Sequence, residues 1–499
     1  MAQDDEPKTT RRELLGAVVV VATGVGLGCD APLVGEDTGV ARDAPGTDGA
    51  GTDGGAHDAG AGTDAATVDA SSAPDAATPP EPPPESVAEA SLATFPLGVA
   101  CGDAVDDTAV FWTRYAGTRE LELVVWEMAG EVYARTVVAM VVVASEGGFV
   151  HADVMGLAPG ARHRYVFFER EAGVRSLRSP IGRMRAPLAA DAMEPLVLAA
   201  CSCTSNSRAA DTLARAGQRD DLDVFLYLGD TAYNDGAESL GEYRESWQES
   251  LSRAGYRAIR AASSALATWD DHEFDNDWNP ETFDRDQRAA AIQTFFEHQP
   301  VRRDPAAPER VWKSVRWGRT AEIFVLDCRA ERRPSTRSTA SAEYVSRAQM
   351  DWLKDALSAS DAVFKIIMNS VPIADFPGAF DFAQNDRWEG YAAQRTEILR
   401  HIDDGAITGV LWVAGDFHLA SAQRVSTSGP GATQVEILAG PGAQSANLLA
   451  RFLGGDQFDF ATGDNNYTLI ELDPATGVAR IWWIDGDGST LETLEYALA

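Results

Sequence analysis

The sequence has few lysines, and its acidic residues outnumber its basic ones. Lys8, Lys313, Lys354 and Lys365 are its only lysines, so arginine supplies nearly all of its 42 basic residues. These oppose 76 acidic residues, which leaves a formal net charge of −34. Such an acidic chain is a poor electrostatic partner for nucleic acid or an anionic membrane surface. We therefore expect no specific nucleic-acid binding, and a carboxylate-rich body suits metal cations better.

Long apolar runs are also missing. The longest candidate extends from Leu14 to Leu27 and spans about 14 residues, too few for a transmembrane helix of roughly 20. A charged start, an apolar middle and a small-residue end are the layout of a secretory signal. Arg11-Arg12 resembles the twin-arginine type, and Gly26-Leu27-Gly28-Cys29 resembles a lipoprotein cleavage box.

Residues 1–29 are thus predicted to be a twin-arginine or lipoprotein signal. We expect contact with the twin-arginine export machinery, residence in the cell envelope or periplasm, and membrane attachment only through a lipid anchor at Cys29. The alternative is a plain signal peptide in which Cys29 is coincidental. Five cysteines in 499 residues do not indicate a disulfide framework, so Cys101, Cys201, Cys203 and Cys328 are expected to be reduced thiols.

Residues 30–90 are predicted to be a disordered tether rich in Ala, Asp, Gly and Pro. They carry nine Asp and four Glu against one Arg, and they contain no aromatic residue. Such a segment cannot bury enough apolar area to offset chain entropy. As a flexible coil it would span roughly 45 Å.

Residues 91–188 show the pattern of a small all-β domain of the immunoglobulin or fibronectin kind. Short apolar or β-branched runs recur about every ten residues, separated by Gly, Pro and Asp. The runs are Ala109–Thr113, Leu121–Trp126, Arg135–Val143, Val150–Val154 and His163–Glu169. We expect this domain to act as a scaffold or lid for the next one.

Residues 194–499 are predicted to form a layered α/β domain. Continuous apolar runs suit strands that are buried on both faces, and amphipathic stretches such as Ser346–Leu357 and Gln394–Ile402 suit helices between them. The runs are Leu196–Ala200, Val224–Leu228, Ala265–Trp269, Ala321–Leu326, Phe364–Met368 and Val410–Ala414.

Most of these strands end in residues that bind metals. Carboxyl ends of parallel strands form the ligand-binding edge of such sheets, so these residues are expected to converge. Carboxylates and imidazoles bind divalent and trivalent metals, and a metal pair activates water and stabilises a leaving oxygen. The ends read Ser202-Cys203, Gly229-Asp230-Thr231-Ala232-Tyr233, Asp270-Asp271-His272-Glu273, Asp327-Cys328-Arg329, Asn369 and Gly415-Asp416-Phe417-His418.

The combined pattern resembles the calcineurin-like metallophosphatases, and its variants are similar to the PhoD-type alkaline phosphatases and phosphodiesterases. Gly-Asp-x-x-Tyr is followed by Asp-His-Glu in place of Asn-His-Glu, and by Gly-Asp-x-His in place of Gly-His-x-His. The segment from Phe95 to Arg114 also resembles the start of that family's N-terminal sandwich. The resemblance covers residues 94–499 and implies a layered β-sandwich metallophosphatase domain flanked by helices.

The resemblance also implies a site with Fe3+ and Ca2+. Cys203, rather than Cys201, matches the thiolate on the ferric ion, Asp230 the carboxylate that bridges the metals, and Tyr233 the tyrosinate on iron. Asp271 lies at the position of the second-metal ligand, and Asp416 with His418 matches the closing ligand pair.

Several roles remain open within this resemblance. His272 is a ligand or the acid that hydrogen-bonds the ester oxygen, and Asn369 lies near a position where the broader superfamily has a metal ligand. Arg329 either neutralises the phosphate or forms a structural ion pair. Asp270 and Glu273 are expected to orient their neighbours.

The predicted function is hydrolysis of phosphate mono- or diesters by a metal-activated hydroxide, in the manner of alkaline phosphatases. One alternative is a phosphodiesterase or phospholipase-D-like enzyme that acts on polymer or lipid diesters. Another is an inactive surface-binding lipoprotein. The substrate is in either enzymatic case a small or polymeric phosphate ester.

Overall fold

The computed structural model describes residues 81–499, except for the side chains of residues 381–383. The predicted signal and residues 30–80 of the predicted tether lie outside the described residues. No helix among the described residues is long and apolar enough to cross a membrane.

The N-terminal β region contains eight strands in two layers. Strands β3, β4, β6, β7 and β8 form one sheet, in which β6 pairs with β3, β7 and β8. Strands β1, β2 and β5 face it across a core that includes Phe111, Leu123 and Phe167. The bounds are β1 Val99–Val105, β2 Thr108–Arg114, β3 Glu120–Ala129, β4 Val132–Val142, β5 Phe149–Val154, β6 Arg162–Glu171, β7 Val174–Arg178 and β8 Gly182–Arg185.

The described chain is ordered earlier than the sequence predicts. Residues 81–90, which we assigned to the tether, pack along the five-stranded sheet instead. Arg175 donates to the carboxylate of Glu81 at 3.0 Å, and Val87 packs against a cluster with Trp126 and Phe168. Arg178 pairs with Glu89, so ion pairs, apolar contacts and backbone hydrogen bonds fix a segment whose composition alone suggests disorder.

The N-terminal β region and the α/β domain that follows it share one sheet. Strand β1 pairs in parallel with β11, with Cys101 opposite Ser264, and this pairing adds β1, β2 and β5 to the edge of a nine-stranded sheet. Its order is β21-β20-β19-β9-β10-β11-β1-β2-β5. The N-terminal strands therefore brace the sheet that carries the candidate site.

A seven-stranded sheet of order β12-β13-β14-β15-β17-β16-β18 packs on the nine-stranded sheet. Alternate side chains such as Leu198 and Ile366 meet between the two layers. The bounds are β9 Leu196–Cys201, β10 Val224–Tyr227, β11 Ser264–Ala267, β12 Lys313–Trp317, β13 Ala321–Val325, β14 Phe364–Met368, β15 Val410–Ala414, β16 Ala420–Arg424, β17 Val435–Leu438, β18 Phe458–Thr462, β19 Asn466–Asp473, β20 Val478–Asp485 and β21 Thr490–Ala497.

Helices cover the outer face of each large sheet. Helices α1 to α4 pack on the nine-stranded sheet through residues such as Trp247 and Phe295, and α5 and α6 pack on the other sheet. Their bounds are α1 Asp211–Ala216, α2 Leu240–Leu251, α3 Ala254–Arg260, α4 Arg285–His298, α5 Arg347–Ala359 and α6 Ala392–Asp404. This helix–sheet–sheet–helix architecture, preceded by an all-β region, confirms the predicted fold class.

Candidate metal centre

The candidate metal-binding side chains follow the carboxyl ends of parallel strands. Cys203, Asp230, Asp271 and Asp416 lie two to four residues beyond β9, β10, β11 and β15. Strand β10 pairs in parallel with both β9 and β11, whereas β15 belongs to the facing sheet. Loops from both sheets therefore meet at one edge of the sandwich, as the strand-end pattern predicts.

Four candidate ligands on these loops have a backbone conformation that is unusual for residues other than glycine. The φ angle is 54° at Cys203, 54° at Asp230, 73° at Asp416 and 50° at His418. Positive φ values are uncommon outside glycine, and strained backbone of this kind clusters at functional sites. The surrounding contacts thus hold four candidate ligands in fixed, strained positions.

The two Gly-Asp pairs let neighbouring loops approach closely. A Cβ atom added to Gly229 would lie 2.4 Å from Cβ of Asp270, and one added to Gly415 would lie 2.5 Å from Cβ of Ser202. Only a residue without a side chain fits at these contacts. Each glycine therefore fixes the position of the aspartate that follows it.

Three overlapping groups of side chains have ligand atoms within 4.8 Å of one another. The groups share members, because Asp230 belongs to two of them and Asp271 also belongs to two. The groups are Cys203 with Asp230 and His418, Asp230 with Asp271 and His272, and Asp270 with Asp271 and Asp416. A carboxylate shared between two groups is positioned as a bridging ligand would be.

Tyr233 lies at the edge of these groups. Its hydroxyl is 3.3 Å from Oδ2 of Asp230, and it accepts a hydrogen bond from Nε2 of Gln444 at 3.1 Å. Its ring stacks on the imidazole of His272, with centroids 4.1 Å apart. The phenol oxygen is thus adjacent to the shared carboxylate.

His272 is held in one orientation by Asp235. Nδ1 of His272 lies 2.7 and 2.8 Å from the two carboxylate oxygens of Asp235. A carboxylate at Nδ1 favours the tautomer with the proton on Nδ1, so the neutral ring can ligate a metal through Nε2, and only the imidazolium can donate a proton from Nε2.

Glu273 holds the loop that carries Asp230. Its carboxylate accepts backbone N–H groups from Asp230 at 3.0 Å, Thr231 at 2.6 Å and Asp270 at 2.8 Å. Burial raises the pKa of Glu273 to about 7, although these three N–H groups act in the opposite direction. This contact supports the predicted orienting role of Glu273.

Arg329 is fully buried among four carboxylates. Nη2 lies 3.1 Å from Asp416 and 3.6 Å from Asp271, Nε contacts Asp270 and Nη1 contacts Asp386. Burial alone would lower its pKa, but the carboxylates raise it well above the ordinary value. The guanidinium therefore compensates the charge of buried acids in this structure.

Asn369 hydrogen-bonds with residues that belong to none of the three groups. Its Oδ1 accepts a hydrogen bond from the thiol of Cys328 at 2.7 Å and lies 3.4 Å from Nε1 of Trp388. Cys201 is also separate, because it packs in the helix-facing core, where burial raises its thiol pKa to about 12.

Burial and mutual repulsion shape the charge of the centre. Burial raises the pKa of Asp230 and of Asp416 well above the usual range, and the neighbouring carboxylates raise both further. Burial would also raise the pKa of Asp271, but Arg329 and His272 lower it overall. Oδ1 of Asp230 and Oδ1 of Asp271 are buried and accept no hydrogen bond from residues 81–499. Crowded acids with unsatisfied oxygens fit the binding of metal cations.

Three residues of the site carry no prediction from the sequence: Asp235, Asp386 and Gln444. Asp235 follows the Gly-Asp-x-x-Tyr segment by two residues, so its position beside that motif was a usable signal. Asp386 and Gln444 come from irregular segments far along the chain, and no motif marks them.

The chain matches two protein-family models. A model described as "PhoD-like phosphatase" matches residues 196–452, and one described as "PhoD-like phosphatase, N-terminal domain" matches residues 81–187. The first match alone covers more than half of the chain. The chain belongs to the PhoD-like phosphatase family.

Individual relatives of the PhoD-like phosphatases agree with this assignment. Alkaline phosphatase D of Bacillus subtilis (strain 168) is 27% identical over 386 residues, a match that covers 66% of this chain and 65% of the relative. The chain thus aligns with slightly less than two thirds of that curated protein.

Two solved structures show the same fold. A structure titled "Structure of PhoD" superposes with a TM-score of 0.68 at 21% identity, over 80% of this chain and 92% of the other. A purple acid phosphatase from yellow lupin (Lupinus luteus) seeds gives a TM-score of 0.58 at 12% identity, over 80% and 73%.

Proposed function

We propose that this PhoD-like phosphatase is a metal-dependent phosphoesterase that hydrolyses phosphate mono- or diesters. The observation that carries the proposal is the chain of three ligand groups linked by Asp230 and Asp271. Carboxylates shared by neighbouring ligand groups in one centre suit a closely spaced pair of metals.

The residues present suit two different cations. Cys203, Asp230, Tyr233 and His418 offer thiolate, carboxylate, phenolate and imidazole donors, and this set favours a ferric ion. Asp271 and Asp416, with Asp270 beside them, offer the oxygen ligands that Ca2+ prefers. When bound, such metals would lower the pKa of an attacking water and stabilise charge on the phosphoryl oxygens.

The chain's own residues position these donors and manage protons. Asp235 orients the imidazole of His272 through Nδ1, so that the ring, once protonated to the imidazolium, can donate a proton from Nε2 to the leaving oxygen. Glu273 fixes the backbone of Asp230. Arg329 limits the repulsion among Asp270, Asp271 and Asp416. These contacts supply a preorganised site.

Removing the shared carboxylate tests the proposal. Asp230→Asn should lower turnover of p-nitrophenyl phosphate and of bis(p-nitrophenyl) phosphate by more than about 100-fold, beyond the 10- to 100-fold typical of losing an indirect metal partner. Elemental analysis of the same preparation should show lost metal, while circular dichroism stays unchanged.

Asp361→Asn is the matched control, because Asp361 is an exposed aspartate that pairs with Arg316. It should keep full activity and full metal content. Wild-type-like turnover in Asp230→Asn would overturn the metal-dependent mechanism. A wild-type protein that binds no metal and hydrolyses neither ester would favour the inactive binding lipoprotein.

We further propose export through the twin-arginine machinery and a lipid anchor at Cys29. The supports are Arg11-Arg12, the short apolar run and the small residues before Cys29. Mass spectrometry of the mature N-terminus should show a lipid-modified Cys29. Cleavage elsewhere, or an unmodified Cys29, would contradict the anchor.

A further inference from the structure

Arg208 is an exposed arginine beside the candidate metal centre. It lies on the loop after β9, and its Nη2 donates to Oγ of Ser445 at 2.7 Å. The backbone N–H of Ser445 donates to Oε1 of Gln444, whose Nε2 donates to the hydroxyl of Tyr233. A short series of hydrogen bonds thus connects Arg208 to a candidate metal ligand.

The loop that carries Arg208 is rigidly held. The guanidinium of Arg253 donates to the carbonyl oxygens of Thr204 at 2.9 Å, Ser205 at 2.5 Å and Arg208 at 2.9 Å. Arg253 also lies 5.0 Å from the ring of Tyr256. The backbone of Arg208 is therefore fixed by the half-buried guanidinium of Arg253 rather than left to solvent.

The same loop is locked to Tyr233. Oδ1 of Asn206 accepts the backbone N–H of Tyr233 at 3.2 Å, and Nδ2 of Asn206 donates to the carbonyl of Tyr233 at 3.2 Å. The backbone of Arg208, two residues further on, is consequently held at a constant place relative to the centre, and its guanidinium donates to Oγ of Ser445. A preorganised cation costs little to order when an anion binds.

The charge of Arg208 is uncommitted, unlike that of other arginines at the site. Arg329 contacts four aspartates, Arg332 contacts Asp386 and the carbonyl of Trp278, and Arg387 pairs with Glu389. Among the side chains that the structure describes, which leave out residues 381–383, no carboxylate oxygen lies within 4 Å of the Arg208 guanidinium. This absence is notable in a chain with a net charge of −34.

We infer that Arg208, with Ser445, binds a second anionic group of the substrate, such as a further phosphate beyond the ester that reacts. The inference rests on the proposed phosphoesterase function and refines its substrate class. Arg208 is then a specificity-determining residue, which favours esters with two anionic groups over esters with one. A guanidinium and a hydroxyl are suitable donors for phosphate oxygens.

Calorimetry with non-hydrolysable probes tests this inference without relying on turnover. The probes are butylphosphonate and α,ω-alkane bisphosphonates with three, four and six carbons. For the wild type, at least one of the three bisphosphonates should bind more tightly than butylphosphonate, by more than the statistical factor of about two. In Arg208→Gln, the ratio of the two dissociation constants should fall by roughly threefold to fivefold, as expected for an exposed ion pair. The wild-type ratio should also decrease in high salt.

Arg400→Gln is the matched control, since Arg400 is an exposed arginine on α6 with no carboxylate partner among residues 81–499. It should retain the wild-type preference. A wild-type ratio no greater than two, an unchanged ratio in Arg208→Gln, or an equal loss in Arg400→Gln would each overturn the inference. Turnover of p-nitrophenyl phosphate by the wild type, measured in parallel, reports separately on the proposed function.

Discussion

The two halves of the candidate metal centre compensate their charge in different ways. We call Cys203, Asp230 and His418 the thiolate half, and Asp270, Asp271 and Asp416 the carboxylate half. Arg329 contacts all three members of the carboxylate half. Among residues 81–499, no arginine or lysine nitrogen lies within 4 Å of the Asp230 carboxylate.

This difference indicates what each half needs from outside the chain. The carboxylate half has a cation of its own, so it tolerates burial before any metal binds. We infer that the thiolate half relies on a bound metal cation, because no arginine or lysine pairs with the buried Asp230 carboxylate in the described part of the chain. We therefore expect the loss of metal to destabilise the thiolate half more than the carboxylate half. Substitutions made in one half at a time test this expectation.

Removing Arg329 breaks the carboxylate half and should have the largest effect. Arg329→Met leaves several buried carboxylates without their cation, and the loss of one partner from a buried ion pair costs about 3–5 kcal/mol. Urea unfolding of metal-depleted protein should show a destabilisation of this size. Added Ca2+ should restore part of it, because the metal replaces the missing charge.

Arg316→Met is the comparison variant. Arg316 pairs with the exposed Asp361, and an exposed pair contributes about 1 kcal/mol or less. Equal losses in the two variants would show that Arg329 has no special role in compensating the buried acids.

Replacing Cys203 tests the thiolate half alone. Cys203→Ser substitutes a hydroxyl for a strongly donating thiolate, so iron affinity should fall by at least about 10- to 100-fold, the loss typical of an indirect metal partner. Calcium content should stay close to that of the wild type, since the carboxylate half is intact. Elemental analysis of protein purified without chelators measures both metals.

Cys328→Ser is the matched control for that experiment. Cys328 is equally buried, and its thiol donates to Oδ1 of Asn369, a bond that a serine hydroxyl can also make. Its iron content should match the wild type. Iron loss in Cys328→Ser but not in Cys203→Ser would reverse the assignment of the thiolate ligand.

The sequence predicts much of this site because its members follow buried parallel strands. Runs such as Val224–Leu228 and Val410–Ala414 are continuous and apolar, and the residues after them are acids and histidines. Strand ends converge by a general rule of α/β sheets, so proximity can be expected without knowing the contacts.

Other features depend on long-range pairing, which local patterns do not encode. The parallel pairing of Cys101 with Ser264 joins the N-terminal strands to the large sheet across 163 positions of sequence. Asp386 reaches Arg329 from a segment without regular periodicity, and Gln444 reaches Tyr233 from 211 positions away. Such contacts follow from the assembled fold rather than from residue spacing.

The sequence also left open which role Arg329 has, and the structure shows why. The strand end Asp327-Cys328-Arg329 predicts that Arg329 lies near the acids, but spacing does not reveal how many carboxylates surround it. The structure places four there, so the charge of Arg329 already compensates buried acids.

The smallest effect concerns pH and separates the two halves in metal-free protein. Burial lowers the pKa of His418 from 6.5 to about 4, with a further decrease from the charge of His272. The folded protein keeps His418 neutral where the unfolded chain is protonated. Its contribution to stability is thus complete above pH 6.5 and is lost as the pH falls towards 4.

Asp271, in the carboxylate half, has a lowered pKa, so its contribution is lost only at pH values below its ordinary 3.8. The difference in unfolding free energy between wild type and His418→Gln should therefore increase with pH from about 4 to 6.5 and stay level above that range. Urea titrations at several pH values after chelator treatment measure the difference. If the unfolding free energies of the wild type and of His418→Gln differ by the same amount at every pH, His418 does not report on the thiolate half. The distinction between the halves would then rest on Asp230 and Cys203 alone.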